Sequence, residues 1–159
     1  MNKVRALLLA AGLGRRLCPL TEIWPKCLMP VHGLPLMEYW LSEFFENDCD
    51  TIFVNTCYLH QIVEHYLQRD RFKGRLKILR EENLLGTGGT ILSIKGELMM
   101  KPSLIVHADN WCGMTVQNFL YHYVVCCNRI STSHFLFIIC QYSALFKVIP
   151  GELHVPLQF

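Results

Sequence analysis

Apolar positions along this chain follow two alternating rhythms. Val4–Leu9 is a nearly continuous apolar run, the pattern of a strand buried on both faces. Met37, Trp40, Leu41, Phe44 and Phe45 then fall at i, i+3, i+4, i+7 and i+8, which predicts a helix from Pro35 to Asp48. Thr51–Asn55 reads as a second strand. Leu59, Ile62, Val63, Tyr66 and Leu67 repeat the helical spacing. Gly74 breaks the chain before a third strand, Leu76–Leu79. A further helix is expected from about Gly88 to Leu98, then a fourth strand, Ser103–Ala108, after Pro102. Thr115 can cap a helix whose apolar face is Val116, Phe119, Leu120, Tyr123 and Val124. Strands alternating with helix-length segments imply βαβ units, and so an α/β, doubly wound, mostly parallel sheet with helices on both faces. Ligands in such folds sit beyond the carboxyl ends of the strands.

The rhythm fades after Val124. From Asn110 to Phe159 only Arg129, Lys147 and Glu152 carry charge, while the other 25 of the 28 charged residues lie at or before Asp109. A folded domain needs a charged face. Residues 1–124 are therefore read as one α/β domain and 125–159 as an atypical apolar tail. The natural reading frame, or the natural domain, is expected to be lost between Trp111 and Cys127. The sheet is accordingly expected to be incomplete at its C-terminal end.

Composition narrows the function classes. With 159 residues and 52% hydrophobic content, one ordinary core is expected rather than disorder. A formal charge of +2 gives no reason to expect nucleic acid or a membrane surface as partner. The basic stretch Arg69, Arg71, Lys73, Arg75, Lys77 and Arg80 reads as a solvated loop leading into an edge strand, because only Phe72 is interleaved as a stacking ring. Eight scattered cysteines form no C-x-x-C, and His122, Cys126, Cys127, His134 and Cys140 fit no zinc-finger spacing. Reduced thiols in a cytoplasmic protein are the simpler reading. Met1 to Leu13 imitates a signal peptide, but its apolar run is short and Arg15-Arg16 stands where cleavage would fall, so a buried strand is preferred. No segment reaches the roughly 20 apolar residues of a membrane span.

The chemistry is concentrated in Leu9-Ala10-Ala11-Gly12-Leu13-Gly14-Arg15-Arg16-Leu17-Cys18-Pro19-Leu20-Thr21, followed by Pro25-Lys26 and Pro30. A strand running into glycines brings backbone N–H groups close to phosphate oxygens. The Walker A loop is absent, since its second glycine and lysine are out of place. Leu17 stands where a dinucleotide fingerprint has its third glycine.

What remains resembles the sugar-1-phosphate nucleotidyltransferase family, whose signature reads approximately L-A-A-G-x-G-x-R-L-x-P-L-T-x-x-x-P-K-x-x-x-P and is matched here at every written position. Leu85-Gly86-Thr87-Gly88-Gly89 is similar to that family's L-G-T-A-G nucleotide loop, with Gly88 for the alanine, and leans toward its guanylyl- and thymidylyltransferase branches. His107-Ala108-Asp109-Asn110 is similar to its metal-binding D-N. Together these cover Lys3 to about Phe119.

The resemblance implies a Rossmann-like nucleotidyltransferase fold and a reaction joining an NTP to a sugar 1-phosphate. It implies that Ala11, Gly12 and Gly14 cradle the triphosphate and that Arg16 clamps the phosphate tail. Lys26 would neutralise charge between the α-phosphate and the sugar phosphate. Glu81 and Gly86 would lie near the base, and Asp109 would hold Mg²⁺. Each residue has a plainer reading. Arg16 can be a surface charge, Lys26 a loop lysine and Asp109 a helix cap, while Glu82 matches Glu81 on chemistry alone. The family also takes a second metal-binding aspartate from farther downstream, where the only acid here is Glu152. The alternative is therefore a non-catalytic nucleotide-binding remnant. A homo-oligomer is left open.

Overall fold

The computed structural model describes residues 4–111, 115–118 and 120, together with the backbone of 136–139 and 145–148. Its frame is a six-stranded sheet. In chain order the strands are β1 (Arg5–Leu9), β4 (Thr51–Thr56), β5 (Leu76–Arg80), β6 (Ser103–His107), β7 (Leu136–Ile139) and β8 (Leu145–Val148). Across the sheet they run β5-β4-β1-β6-β7-β8. All neighbours are parallel except β7 and β8. The strand order therefore reverses beside β1, where β4 and β6 flank it on opposite sides.

β1 is buried along its whole length, as its apolar run requires. Alternate side chains of a strand point to opposite faces, and each face meets different helices. Ala6 and Leu8, with Ile52, Val54, Leu104 and Val106, pack against Met37, Trp40, Leu41 and Phe44 of α1 (Leu36–Glu46) and Val63, Tyr66 and Leu67 of α2 (His60–Leu67). Leu7 and Leu9, with Phe53 and Ile105, pack against Ile91 of α3 (Gly86–Ser93), Ile94, and Leu98 of α4 (Lys95–Leu98). Helices on both faces make the sheet doubly wound, as expected. Trp40 and Phe44 are core residues, 1% and 0% exposed.

Several elements differ from expectation. The helix expected from Gly88 to Leu98 is two pieces, because Ile94 leaves helical geometry at φ −118° and ψ 21°. Pro30–Val31 (β2) and Leu34–Pro35 (β3) form a small antiparallel hairpin turned by His32 and Gly33, both at positive φ. In the tail, β7 and β8 extend the sheet where sequence periodicity showed no strand. The helix expected after Thr115 begins as predicted. The Asn118 N–H donates to Thr115 Oγ1 at 3.2 Å, and the Val116 N–H donates to Glu43 Oε2 at 2.9 Å. Tyr123 and Val124 of its expected face lie outside the described residues.

β5 is the sheet edge and is mostly exposed, matching the reading of the basic stretch. The stretch is not idle. The Arg69 and Arg75 guanidinium groups lie over the Tyr66 and Phe45 rings at 4.1 and 3.6 Å, and Arg71 pairs with buried Glu38 while lying over Phe72 at 4.7 Å. These cations cover the aromatic end of the core. No helix among the described residues is long and apolar enough to cross a membrane.

Candidate phosphate-binding site

β1 ends at Leu9, and the chain turns through Ala10–Gly14 at the carboxyl edge of the sheet. The turn is fixed from both sides. The Ala10 N–H donates to Asn55 Oδ1 at 2.6 Å, and Thr21 Oγ1 donates to the Gly14 carbonyl at 3.0 Å. Gly14 sits at φ 64°, in the left-handed region that favours glycine. A Cβ there would stand 2.8 Å from Thr21 Cγ2 and 3.1 Å from Lys26 Cβ. Gly12 is different. It is exposed, and a Cβ built on it meets nothing within 4 Å. One glycine serves the turn itself, and the other leaves an open face above it.

Beyond the turn the chain makes three short 3-10 turns, Arg15–Leu17, Leu20–Glu22 and Lys26–Leu28. The last brings Lys26 back over the sheet, where its Nζ donates to Asp109 Oδ2. Asp109 follows β6. The Ala108 N–H donates to the Leu9 carbonyl at 2.9 Å, and the Asn110 N–H closes a turn onto the His107 carbonyl at 3.1 Å. From the helix layer, Trp40 Nε1–H donates to the Asn110 carbonyl at 2.8 Å. The D-N turn is thus held by both strand and helix.

Gly14, Arg15, Arg16, Leu17, Lys26 and Asp109 line one open cavity of about 430 Å³. It lies beyond the carboxyl ends of β1 and β6, beside the reversal of strand order, the region in which such sheets take ligands. Arg16 is exposed on its wall and makes no ion pair among the described residues. Lys26 and Asp109 are about three-quarters buried. Burial lowers the pKa of nearby His107, Asp109 opposes that shift and Lys26 reinforces it, which favours the neutral ring. Cys27, beside Lys26, is pushed up to about 12 by burial and is a thiol rather than a nucleophile.

The structure thus brings Gly14, Arg16, Lys26 and Asp109 to one cavity, with Ala11 and Gly12 on the turn above it. Glu81 and Gly86 are not among its walls. Glu81 is buried, and its carboxylate accepts from Asn55 Nδ2 at 2.9 Å, Thr90 Oγ1 at 2.5 Å and the Leu85 N–H at 3.1 Å. Gly86 opens α3 at φ 70°. Sequence reasoning missed Asn55 and Thr90, which join this second cluster to the glycine turn. The available signal was a polar residue directly after the apolar run Ile52–Val54.

Among the described residues no three His, Cys, Asp or Glu side chains come together as a metal cage. Asp109 alone still suits Mg²⁺, which keeps several waters and is commonly held by one or two carboxylates plus substrate phosphates. An exposed guanidinium and a lysine–carboxylate pair lining one open cleft are suited to a polyphosphate with its counter-ion.

Comparison with known proteins gives the family. The family model described as "Nucleotidyl transferase" matches residues 5–136. The chain is 29% identical over 120 residues to mannose-1-phosphate guanylyltransferase of Mycobacterium tuberculosis, covering 75% of this chain and 33% of that protein. It is 35% identical over 109 residues to N-acetylmuramate alpha-1-phosphate uridylyltransferase of Caulobacter vibrioides, covering 66% of this chain and 45% of that one. Among solved structures, CTP:phosphocholine cytidylyltransferase from Streptococcus pneumoniae superposes with a TM-score of 0.59 at 28% identity, covering 72% of this chain and 48% of that one. The chain therefore spans between a third and a half of the length of these relatives.

Proposed function

This chain belongs to the nucleotidyl transferase family, and on that premise we propose that it joins an NTP to a sugar 1-phosphate, giving an NDP-sugar and pyrophosphate. A phosphate oxygen of the sugar phosphate attacks the α-phosphorus in line. The new P–O bond forms as the bond to the β-phosphate breaks, and its electron pair leaves with pyrophosphate. The nucleophile is already an anion, so no general base is needed. Catalysis is positioning and charge neutralisation.

In this reading the amides of Ala11, Gly12 and Gly14 face the triphosphate. Arg16 holds the phosphate tail and the departing pyrophosphate, since its planar fork suits phosphate oxygens. Lys26 sits between the two reacting phosphates. Glu81 and Gly86 belong to the base end of the site. Asp109 would hold Mg²⁺, which when bound supplies neutralisation of the triphosphate charge. Residues 1–124 form the nucleotide half of the enzyme. The protein works in the cytoplasm, where its thiols stay reduced.

The observation that carries the proposal is the convergence of Arg16, Lys26 and Asp109 on one cleft beside the glycine turn. Pyrophosphate release from the full chain, incubated with Mg²⁺ and a panel of NTPs and sugar 1-phosphates, tests it. Release that requires both substrates is the expected result.

A second reading is a non-catalytic nucleotide-binding remnant, for which the observation is that the Asp109 carboxylate on the cavity wall is already paired with Lys26. Nucleotide binding without pyrophosphate release would support it, and absence of any binding would sink both readings.

A further inference from the structure

Asn55 is the penultimate residue of β4, opposite Leu9 of β1, and its side-chain amide is bonded at both ends. Oδ1 accepts from the Ala10 N–H at 2.6 Å, while Nδ2 donates to Glu81 Oε1 at 2.9 Å and to Thr90 Oγ1 at 3.1 Å. Asn55, Glu81 and Thr90 are 3%, 8% and 0% exposed. The directions at the Asn55 amide and at the Leu85 N–H are forced. Ala10 offers only a donor, so the Asn55 oxygen must face it and the Asn55 NH₂ must face Glu81. Leu85, opening the loop at α3, offers only its N–H to Glu81 Oε2. The Thr90 hydroxyl lies 2.5 Å from Glu81 Oε1 and 3.0 Å from the Gly86 carbonyl. Glu81 therefore stands among donors, and only a group accepting at both oxygens satisfies them all. A carboxylate does so, and its isosteric amide does not.

From this we infer that Asn55 and Glu81 are positioning residues that tie the phosphate turn at Ala10 to the nucleotide loop at Leu85–Gly86. The inference rests on the nucleotide-binding reading above and deepens it. Glu81 serves the nucleotide by holding its loop, because both carboxylate oxygens are already occupied within the protein. The tie fixes the spacing between the part of the site that meets phosphates and the part that meets the base. A nucleoside triphosphate bridges both, so its affinity depends on that spacing.

The network can be inverted without changing its charge. Asn55→Asp keeps the acceptor for Ala10 but sets an oxygen against Glu81. Glu81→Gln sets an NH₂ against one of the donors. Combined, the two substitutions restore a donor facing an acceptor, with the carboxylate now at 55 and the amide at 81. Three measurements on the full chain test the tie. They are NMR amide exchange at Ala10 and Leu85, calorimetric affinity for Mg²⁺ with ATP, GTP, CTP, UTP and dTTP, and the thermal midpoint. Ala108, whose N–H bonds to Leu9, is the control amide.

Each single substitution is expected to speed exchange at both amides, with Ala108 unchanged, and to weaken nucleotide affinity about tenfold. The double variant is expected to return both readouts to within about twofold of wild type. Thr90→Ser keeps the hydroxyl and should keep both readouts. Thr90→Val removes it and serves as the milder lesion where Asn55→Asp does not fold.

The inference is overturned if the double variant is no better than the worse single one, or if Asn55→Asp leaves Leu85 exchange unchanged. Altered selectivity among the bases in Glu81→Gln alone would also overturn it, since that marks direct contact with the base. If wild type binds none of the five nucleotides, the functional reading fails on its own. The exchange data still decide the tie, with coupled amides upholding it and uncoupled amides overturning it.

Discussion

Alanine at Gly14 and alanine at Gly12 should have opposite consequences, although the two glycines are two residues apart in one signature. At Gly14 the backbone is left-handed, at φ 64° and ψ 28°. Holding an L-residue there costs about 1–2 kcal/mol. The added methyl would also stand 2.8 Å from Thr21 Cγ2. Thr21 is 1% exposed, and its hydroxyl is bonded to the Gly14 carbonyl, so turning its side chain away breaks that bond. Overpacking of this kind adds about 1–3 kcal/mol. Gly14→Ala should therefore lose about 2–5 kcal/mol, a large part of the roughly 5–15 kcal/mol typical of a domain. Urea unfolding followed by tryptophan fluorescence reads this as a lowered midpoint at constant slope. Gly12→Ala should leave stability within about 0.5 kcal/mol of wild type, because its methyl enters open space. That space is where the triphosphate is proposed to approach, so affinity for Mg²⁺-NTP should fall about tenfold or more, the scale of one lost charge-assisted bond. If Gly14→Ala unfolds at the wild-type urea concentration, or Gly12→Ala costs as much as Gly14→Ala, this division of roles is wrong.

Other outcomes follow from the same coordinates. Arg16→Ala should lower kcat for pyrophosphate release by about 10²-fold, the scale for one preorganised donor; a fully active variant removes Arg16 from the mechanism. Trp40→Phe leaves the Asn110 carbonyl without its 2.8 Å donor, and should cost about 1–3 kcal/mol in urea unfolding while loosening the turn that carries Asp109. Among the four described cysteines, exposed Cys18 should be alkylated first at mildly alkaline pH. Buried Cys27 should react only on unfolding, and half-buried Cys49, likewise pushed up to about 12, should react well after Cys18, as read by peptide mapping. The same burial sets an alkaline limit. Cys27 and Cys49 rise from 9.0, and Tyr66 from 10.0, each to about 12. The unfolded chain therefore releases these protons first. Stability should be full below about pH 9 and fall as pH rises toward 12, visible as a declining thermal midpoint, and a flat profile would refute it.

Much of the fold was legible because burial on two faces leaves a plain mark. Leu7–Leu9, Ile52–Val54 and Leu104–Val106 are unbroken apolar runs, and each became a central strand. The edge strand was legible from its charges. Elements that depend on partners were harder. β7 pairs with β6 and β8 with β7, yet Leu136–Ile139 and Leu145–Val148 sit in a stretch that is apolar throughout and so carries no period. The break at Ile94 is invisible to a pattern that Ile91, Ile94 and Leu98 satisfy on either side of it. At the site, the signature holds Gly14, Arg16 and Lys26 close together in sequence, and the structure brings them to one cavity with Asp109. It did not foretell Asn55 or Thr90. Their roles arise only when β4 and α3 come together in space, 45 residues from Ala10 in one case and 35 from Asn55 in the other.

The outermost strand has a bearing on how copies of this protein meet. Among the described residues β5 pairs with β4 alone, which leaves its outer rim as an invitation for another chain to add itself. It carries Lys77 and Arg80, both more than half exposed, and Arg75 lies just before it. Two such rims brought side by side would set like charges against one another. Self-association through that border is thereby discouraged, and any assembly of this chain is steered toward some other surface.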